Sequence, residues 1–447
     1  MTTYEQEKAK LMQHLDDSNN SNSQSGQYEE MRMTPLLSLD VKYAINTTDN
    51  SRLPDNIFPQ HGLLGFHVGQ QESIGKHEPI LMNTNAPNST FICGSQGSGK
   101  SHTLSCMLEN CLLRDDAVGK LAKPLGGVVF HYDVGGGRSV AEAASLSSRH
   151  IPVQVLVSPS NYHKLSQAYA MEAGSKNITV SALRLQEDHL TAGIMLKLMA
   201  FSEQEGSVPL YMEVIHRILR KRATENKGFN FAEFDKELSK EKFSPGQKTM
   251  MKMRLDLLKS FFANTQTSKA DKKAAKQALE IQPGHLIIID LSDPGLVVAL
   301  DEAHKYLNKS AAATNFTDDL LTTIREQRHN ATRVIVATQE PSISEKLLDL
   351  CSISIVHHFN SPAWFAAIRG HLGGASSLVT SDQQQQNMFE QIVDLQVGES
   401  LVFSPSSFVC VADGEPKNLS SAALKMKTRK REGADTGRSK YATNPQV

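Results

Sequence analysis

The sequence predicts an α/β fold: a mainly parallel sheet flanked by helices, with a helical insertion and disordered termini. Three observations carry this reading. A short apolar strand, Phe91-Ile92-Cys93, enters a glycine-rich loop and continues directly into a helical pattern. Continuous apolar runs recur at 127–133, 285–290, 296–302 and 333–341, several ending in an acid, as strands covered on both faces do. Between 181 and 282 the periodicity changes to that of helices.

The first 60 residues open with Asp16-Asp17-Ser18-Asn19-Asn20 and a further serine- and asparagine-rich stretch, too poor in apolar side chains to offset its ordering entropy. This arm is expected to be largely disordered. Order is expected from His61-Gly62-Leu63-Leu64 onward, with a small β element that includes Pro79-Ile80-Leu81-Met82 and leads to Phe91.

The stretch Gly94-Ser95-Gln96-Gly97-Ser98-Gly99-Lys100-Ser101 satisfies G-x-x-x-x-G-K-[ST], the P-loop pattern. Its glycines let the backbone turn tightly enough for successive N–H groups to face one phosphate chain, and the next helix presents its positive end to that chain. Gly94, Ser95, Gln96, Gly97, Ser98, Gly99, Lys100, Ser101 and His102 are therefore the expected nucleotide contacts. Lys100 would reach the β- and γ-phosphates and Ser101 would ligate Mg²⁺. The helix is legible too, because Leu104, Met107, Leu108, Cys111 and Leu112 share one face.

Gly127 to Asp133 reads as a buried strand, and Asp133 at its carboxyl end is either a ligand-facing acid or a turn residue. Ile151 to Val157 is a further strand, in which Pro152 must sit at the start or on an edge. Helices are expected at 192–201, 210–222, 231–238 and 247–262. The lysine-rich run from Thr267 to Lys276 is a solvated face or a phosphate contact.

The apolar strands return at His285 to Asp290 and at Leu296 to Leu300, the second followed by Asp301-Glu302. An acid at the end of a strand, next to a glutamate, suits a Walker B element: Asp301 for the Mg²⁺ shell and Glu302 to polarise the attacking water, with Asp290 as the rival acid. Arg333 to Glu340 is a strand ending in Thr338-Gln339, where Gln339 either reports on the γ-phosphate or closes a turn. Ile353 to Phe359 and Glu399 to Pro405 are the last strands expected. From 413 the chain reads as a polar tail with a basic run, Lys425 to Arg431, that is either a localisation or nucleic-acid patch or a chance cluster. The division expected is thus an arm at 1–60, core at 61–180, insertion at 181–282, core at 283–412 and tail at 413–447.

Bulk properties narrow the class. A net charge of −1 over 447 residues gives no global sign of a polyanionic partner, so any such surface must be local. Five cysteines without a C-x-x-C pair, and no charged-then-apolar leader pattern, predict a reducing compartment, cytoplasm or nucleus. No apolar run approaches the ~18 residues of a membrane span.

Ile92 through Ser101, Val298 through His304, and Arg325-Glu326-Gln327-Arg328 leading to Ala337 through Pro341 together resemble the HerA–FtsK type of ring ATPase. Gly398-Glu399-Ser400-Leu401 is similar to that family's closing strand. The resemblance implies a RecA-like core, ATP with Mg²⁺, a hexameric homo-oligomer and, in relatives, work on DNA. By it Lys100 and Ser101 bind nucleotide, Asp301 holds magnesium, Glu302 activates water, Gln339 senses the γ-phosphate, and Arg325 or Arg328 is the arginine lent to a neighbouring subunit. The arginines also read as ordinary surface residues.

Two departures stand out. The family often has His-Arg after the strand at Ile353, whereas here His357 is followed by His358. Only Leu291-Ser292-Asp293-Pro294-Gly295 separates two strands that would need a crossover of about a dozen residues or more to lie parallel as neighbours. Either a helix-bearing segment is missing or the two form an antiparallel hairpin. The segment Leu286 to Asp290 is expected to be displaced from the parallel sheet, frayed or antiparallel, with Val297 to Asp301 beside the P-loop strand. ATP binding is accordingly a firmer expectation than ATP turnover.

Overall fold

The computed structural model describes residues 30–47, 57–70, 73–131, 140–173, 177–184, 210–224, 230–260, 280–290, 303, 307, 311–340, 343–372, 382–412 and 415–433. The chain divides into two compact units, 1–124 with 321–431, and 125–320 with 432–447.

The first unit begins with β1 (Leu36–Ser38) and α1 (Leu39–Thr47), then β2 (His61–His67), β3 (Pro79–Met82), β4 (Ser89–Cys93), α2 (Lys100–Leu112) and β5 (Gly119–Lys120). The segment before His61 is thus not all a loose arm. Met31, Leu37, Val41 and Ile45 pack with Ile57, Phe58, Leu81 and Phe408 in one buried cluster, each such side chain contributing roughly 1.5–3 kcal/mol on burial.

The second unit holds β6 (Gly127–His131), a 3₁₀ segment (Glu142–Arg149), β7 (Val153–Val157), α3 (Tyr162–Ala173), β8 (Ile178–Ala182), α4 (Leu210–Thr224), α5 (Phe231–Leu238), α6 (Pro245–Ser260) and β9 (Leu286–Asp290). Three of the four helices expected in the insertion are present; 192–201 and the lysine-rich run 267–276 lie outside the described residues. The four strands form a wholly parallel sheet in the order β6-β9-β7-β8. Strand β7 begins just after Pro152, whose carbonyl accepts the Leu286 N–H at 3.0 Å, so the missing proline donor is never needed.

After the boundary-spanning α7 (Ala311–Arg325), the first unit resumes with β10 (Val334–Thr338), α8 (Glu345–Leu350), β11 (Ile353–His357), α9 (Pro362–Ile368), α10 (Asp382–Val393), β12 (Glu399–Phe403), β13 (Phe408–Ala412), β14 (Glu415–Asn418) and β15 (Leu424–Thr428). Its sheet runs β10-β4-β11-β12-β15-β2-β3-β1-β13-β14, with β5 on β2.

Four expectations change. The large sheet is mixed and mostly antiparallel: only β10–β4, β4–β11 and β1–β13 are parallel. Short links, such as the two residues between β13 and β14, allow no crossover helix and leave antiparallel pairing as the available geometry. The strands also form two sheets instead of one. Leu286 to Asp290 is neither frayed nor antiparallel; it is the parallel strand β9 of the sheet that does not contain β4, bonded on both edges to β6 and β7, which suits a run of three isoleucines with no polar face. Finally, the run expected as a basic tail contributes β15, an interior strand between β12 and β2, with Leu424 and Met426 fully buried and the lysines alternating with them. The Leu296–Leu300 strand lies outside the described residues.

Candidate functional site: a glycine loop between a parallel strand and a helix

Strand β4 is the centre of the parallel part of the large sheet, flanked by β10 and β11, with Phe91 and Ile92 essentially inaccessible to solvent. Its carboxyl end delivers the chain into the loop, and α2 leaves the loop at Lys100. The strand-before, helix-after context that the glycine motif requires is therefore present.

The loop is tied down from one side by the ends of two neighbouring strands. Ser95 donates both its backbone N–H and its hydroxyl to the His358 carbonyl, each at 2.8 Å, and the Gly398 N–H donates to the Ser98 carbonyl at 3.2 Å. Gly94, at φ 154°, leaves no room for a side chain: a Cβ there would stand 2.6 Å from the His357 Cβ and 2.7 Å from the Ser98 Oγ. Gly99, at φ 110°, is the helix N-cap, and a Cβ there would stand 3.2 Å from the Gly398 backbone. The motif's glycines thus serve close backbone approach as well as turning.

The first helical bond is Thr103 N–H to the Gly99 carbonyl at 2.9 Å, so the amides of residues 100–102 precede the hydrogen-bonded ladder. The first turn carries no acidic side chain, and no side chain caps it. That leaves the positive end of the helix dipole unneutralised by its own residues, the arrangement that suits an oxyanion. Lys100 is buried and donates from Nζ to the Ser95 carbonyl at 2.9 Å, folded back over the loop. Ser98 Oγ is buried without a hydrogen-bond partner among the described residues. These groups fit a nucleotide's phosphates.

Behind the loop sits a polar relay. His357 is fully buried; its Nδ1–H donates to the Glu399 carbonyl at 2.9 Å, and its Nε2 meets the Thr103 Oγ1 at 3.1 Å. Burial, aided by Lys100 and by the neighbouring His102 ring and opposed by the bond to Glu399, pushes its pKa down to about 4. The neutral ring therefore accepts from the Thr103 hydroxyl, which in turn accepts from the Thr428 hydroxyl at 2.9 Å. Cys93 beside the loop is buried and its thiol is pushed up to about 12 by desolvation, which makes it an inert packing residue.

The expected residues are distributed as follows. Gly94 through Ser101 form the loop and first turn. His102 faces sideways, its Nε2 bonded to the Arg429 carbonyl at 2.8 Å. Gln339 directly follows Thr338, the register partner of Cys93, so it stands at the carboxyl edge next to the loop and is half-buried. Arg325 ends α7 exposed, and Arg328 is exposed beyond it. Asp133, Asp301 and Glu302 lie outside the described residues. Asp290, the rival acid, belongs to the second unit, buried at the end of β9 where Oδ2 accepts the Tyr169 hydroxyl at 2.5 Å. For magnesium, Ser101 is half-buried in the first helical turn, and the described residues contain no cluster of three or more His, Cys, Asp or Glu side chains able to hold a metal.

Sequence reasoning missed the supporting residues. His357 entered only as a departure from a family pattern, and Thr103, Thr428 and Gly398 were not connected to the loop. Their signal is a long-range one, since His357, Thr428 and Gly398 come to the loop or its helix from a distant part of the chain, and Thr103 meets the first two from the helix itself.

No protein-family model and no curated protein matches the chain. Among solved structures it is similar to the genome packaging NTPase B204 from Sulfolobus turreted icosahedral virus 2 in complex with ATP-gammaS, at 12% identity over 72% of this chain and 93% of that one, with a TM-score of 0.24. It is similar to the bacterial conjugative coupling protein TrwBdeltaN70, at 10% identity over 87% and 97% of the two chains, with a TM-score of 0.41. The cytoplasmic domain of the Thermomonospora curvata type VII secretion ATPase EccC is similar at 10% identity over 86% of this chain and 28% of that one, with a TM-score of 0.31. Described helices include none long and apolar enough to cross a membrane. With identities of 10–12% and TM-scores below 0.5, the chemistry assigned to this loop rests on the loop's own geometry.

Proposed function

We propose that this chain is a Mg²⁺-dependent ATP-binding P-loop protein, an ATPase of the HerA–FtsK motor type that acts on DNA or another polymer as a homo-oligomeric ring. The observation that supports it is the loop from Gly94 to Gly99, held between a buried parallel strand and an uncapped helix whose first turn begins Lys100-Ser101. In this reading the loop amides and Lys100 bind the phosphates, and Ser101 with Asp301 holds Mg²⁺. Glu302 polarises the attacking water, and Gln339 senses the γ-phosphate from the next strand edge. Arg325 or Arg328 serves the neighbouring subunit. When bound, the metal supplies neutralisation of the charge that develops on the phosphates.

A second reading keeps nucleotide binding and removes turnover, making the chain a nucleotide-dependent interaction module. It is favoured by the five residues between Asp290 and Leu296, too few for a parallel crossover to an adjacent strand. Calorimetry with ATP and Mg²⁺, ATPase rate with and without DNA, and nucleotide-dependent sedimentation of the full chain separate the two. Binding, hydrolysis and assembly together support the motor; binding without hydrolysis supports the module; no ATP binding overturns both.

A further inference from the structure

The first unit carries a second concentration of positive charge with no counterpart in the nucleotide site. Lys42, half-buried on α1, donates from Nζ to His61 Nε2 at 2.9 Å, and the His61 Nδ1 meets the Phe58 carbonyl at 3.4 Å. His61 is 8% exposed at the start of β2, and its direct cross-strand partner is Lys120 on β5. Lys123 follows in the next segment, whose backbone N–H bonds the Gln60 side chain, and the Arg114 guanidinium bonds the Ala122 carbonyl at 3.0 Å. Charged groups of the surrounding elements leave the cluster uncompensated. The Glu78 carboxylate accepts the Asp40 backbone N–H at 2.8 Å, and the Asp115 carboxylate accepts the Ala117 N–H in its own turn. The described residues provide no ion pair for Lys42, His61 or Lys120.

Holding like charges together at a part-buried position costs free energy, and surfaces ordinarily relieve that cost with an acidic neighbour. Burial and Lys120 lower the Lys42 pKa; burial, then Lys42 and Lys120, push His61 down to about 4. Every charge acting on the histidine is positive. We propose that Lys42, His61 and Lys120 form a phosphate-oxyanion site separate from the P-loop. Gly62, beside His61, packs against Asn110 near the carboxyl end of α2, about 15 Å along that helix from Lys100. An entering oxyanion accepts from both lysines and from His61 once Nε2 is protonated, so binding takes up a proton at that ring. The source of the phosphate is either a nucleic-acid backbone or a free phosphate ion. This site does not depend on the function proposed for the P-loop.

The test is a histidine ring titration of the full chain by NMR, in the Lys100→Ala background so that phosphate does not report on the P-loop, with His61 assigned by loss of its signal in His61→Gln. Millimolar inorganic phosphate or a short DNA duplex should raise the His61 midpoint by about one unit or more, as a new negative neighbour does. Lys42→Gln with Lys120→Gln should remove that rise. DNA binding followed by anisotropy should lose about two units of salt slope in the double variant if the backbone is the source, at ~0.9 per phosphate contact. A response to inorganic phosphate with no change in DNA salt slope assigns the free ion. Lys120→Gln alone, at an exposed position, is the control for folding and should weaken the response. A His61 midpoint unmoved by both ligands, or a rise that persists in both lysine variants, overturns the site.

Discussion

Arg429 Nη1 lies 2.7 Å from Glu109 Oε2, with the two side chains 5% and 0% exposed. This ion pair joins the residue just after β15 to the last turn of the P-loop helix. The guanidinium also donates to the Leu63 carbonyl at 2.7 Å and to Asn110 Oδ1 at 3.2 Å, so a residue expected in a basic tail is a bolt through the first unit. Arg429→Met removes the buried cation that faces the Glu109 carboxylate, lowering stability by roughly 3–5 kcal/mol. Adding Glu109→Gln should recover part of that loss. Chemical denaturation of the two variants checks it; a loss of under about 1 kcal/mol, the level of a surface pair, contradicts this role.

Lys100→Ala removes the side-chain cation next to the loop. ATP affinity should drop about tenfold or more, as loss of a charge-assisted bond of ~1.5–3 kcal/mol implies. Titration calorimetry with unchanged affinity would remove the P-loop assignment.

Glu302→Gln keeps shape and removes the base. Hydrolysis should fall on the order of a hundredfold while ATP still binds. Normal turnover in this variant moves the catalytic role to another acid, with Asp290 the first to test.

Gly94→Ala puts a methyl group where His357 Cβ is 2.6 Å away. Neither neighbour is the flexible end of a long side chain, so the loop must shift. We expect a melting temperature several degrees lower and weakened ATP binding, the former reflecting overpacking of about 1–3 kcal/mol. Wild-type melting and affinity in Gly94→Ala would contradict the close approach.

His357 is neutral in the folded protein, its pKa near 4 against an ordinary value of 6.5. Because the unfolded chain binds the extra proton first, stability is fully present above about pH 6.5 and declines as pH falls toward 4. The linked loss is on the order of 3 kcal/mol, and His61, depressed in the same direction, adds to the acid limb. His357→Gln should flatten the pH dependence of denaturation across this window, and an unchanged acid limb would contradict the assignment.

By itself the sequence determined the local units. The glycine spacing from Gly94 to Lys100, the apolar face of α2, the isoleucine run of β9 and the three described insertion helices were legible because each is written within about a dozen consecutive residues. Tertiary structure decided what those units meet. Whether Lys425 to Thr428 is a tail or an interior strand depends on partners in β12 and β2, and alternating Leu424, Met426 and Thr428 with lysines satisfies both a strand's period and a basic run's composition. The same holds for Leu36 to Ile45, which is short and weakly patterned alone but buried once Leu81 and Phe408 cover it. His357, Thr103 and Thr428 likewise acquire a role only when β11, α2 and β15 converge, because a hydrogen bond across 254 or 325 residues leaves no periodic trace in the chain.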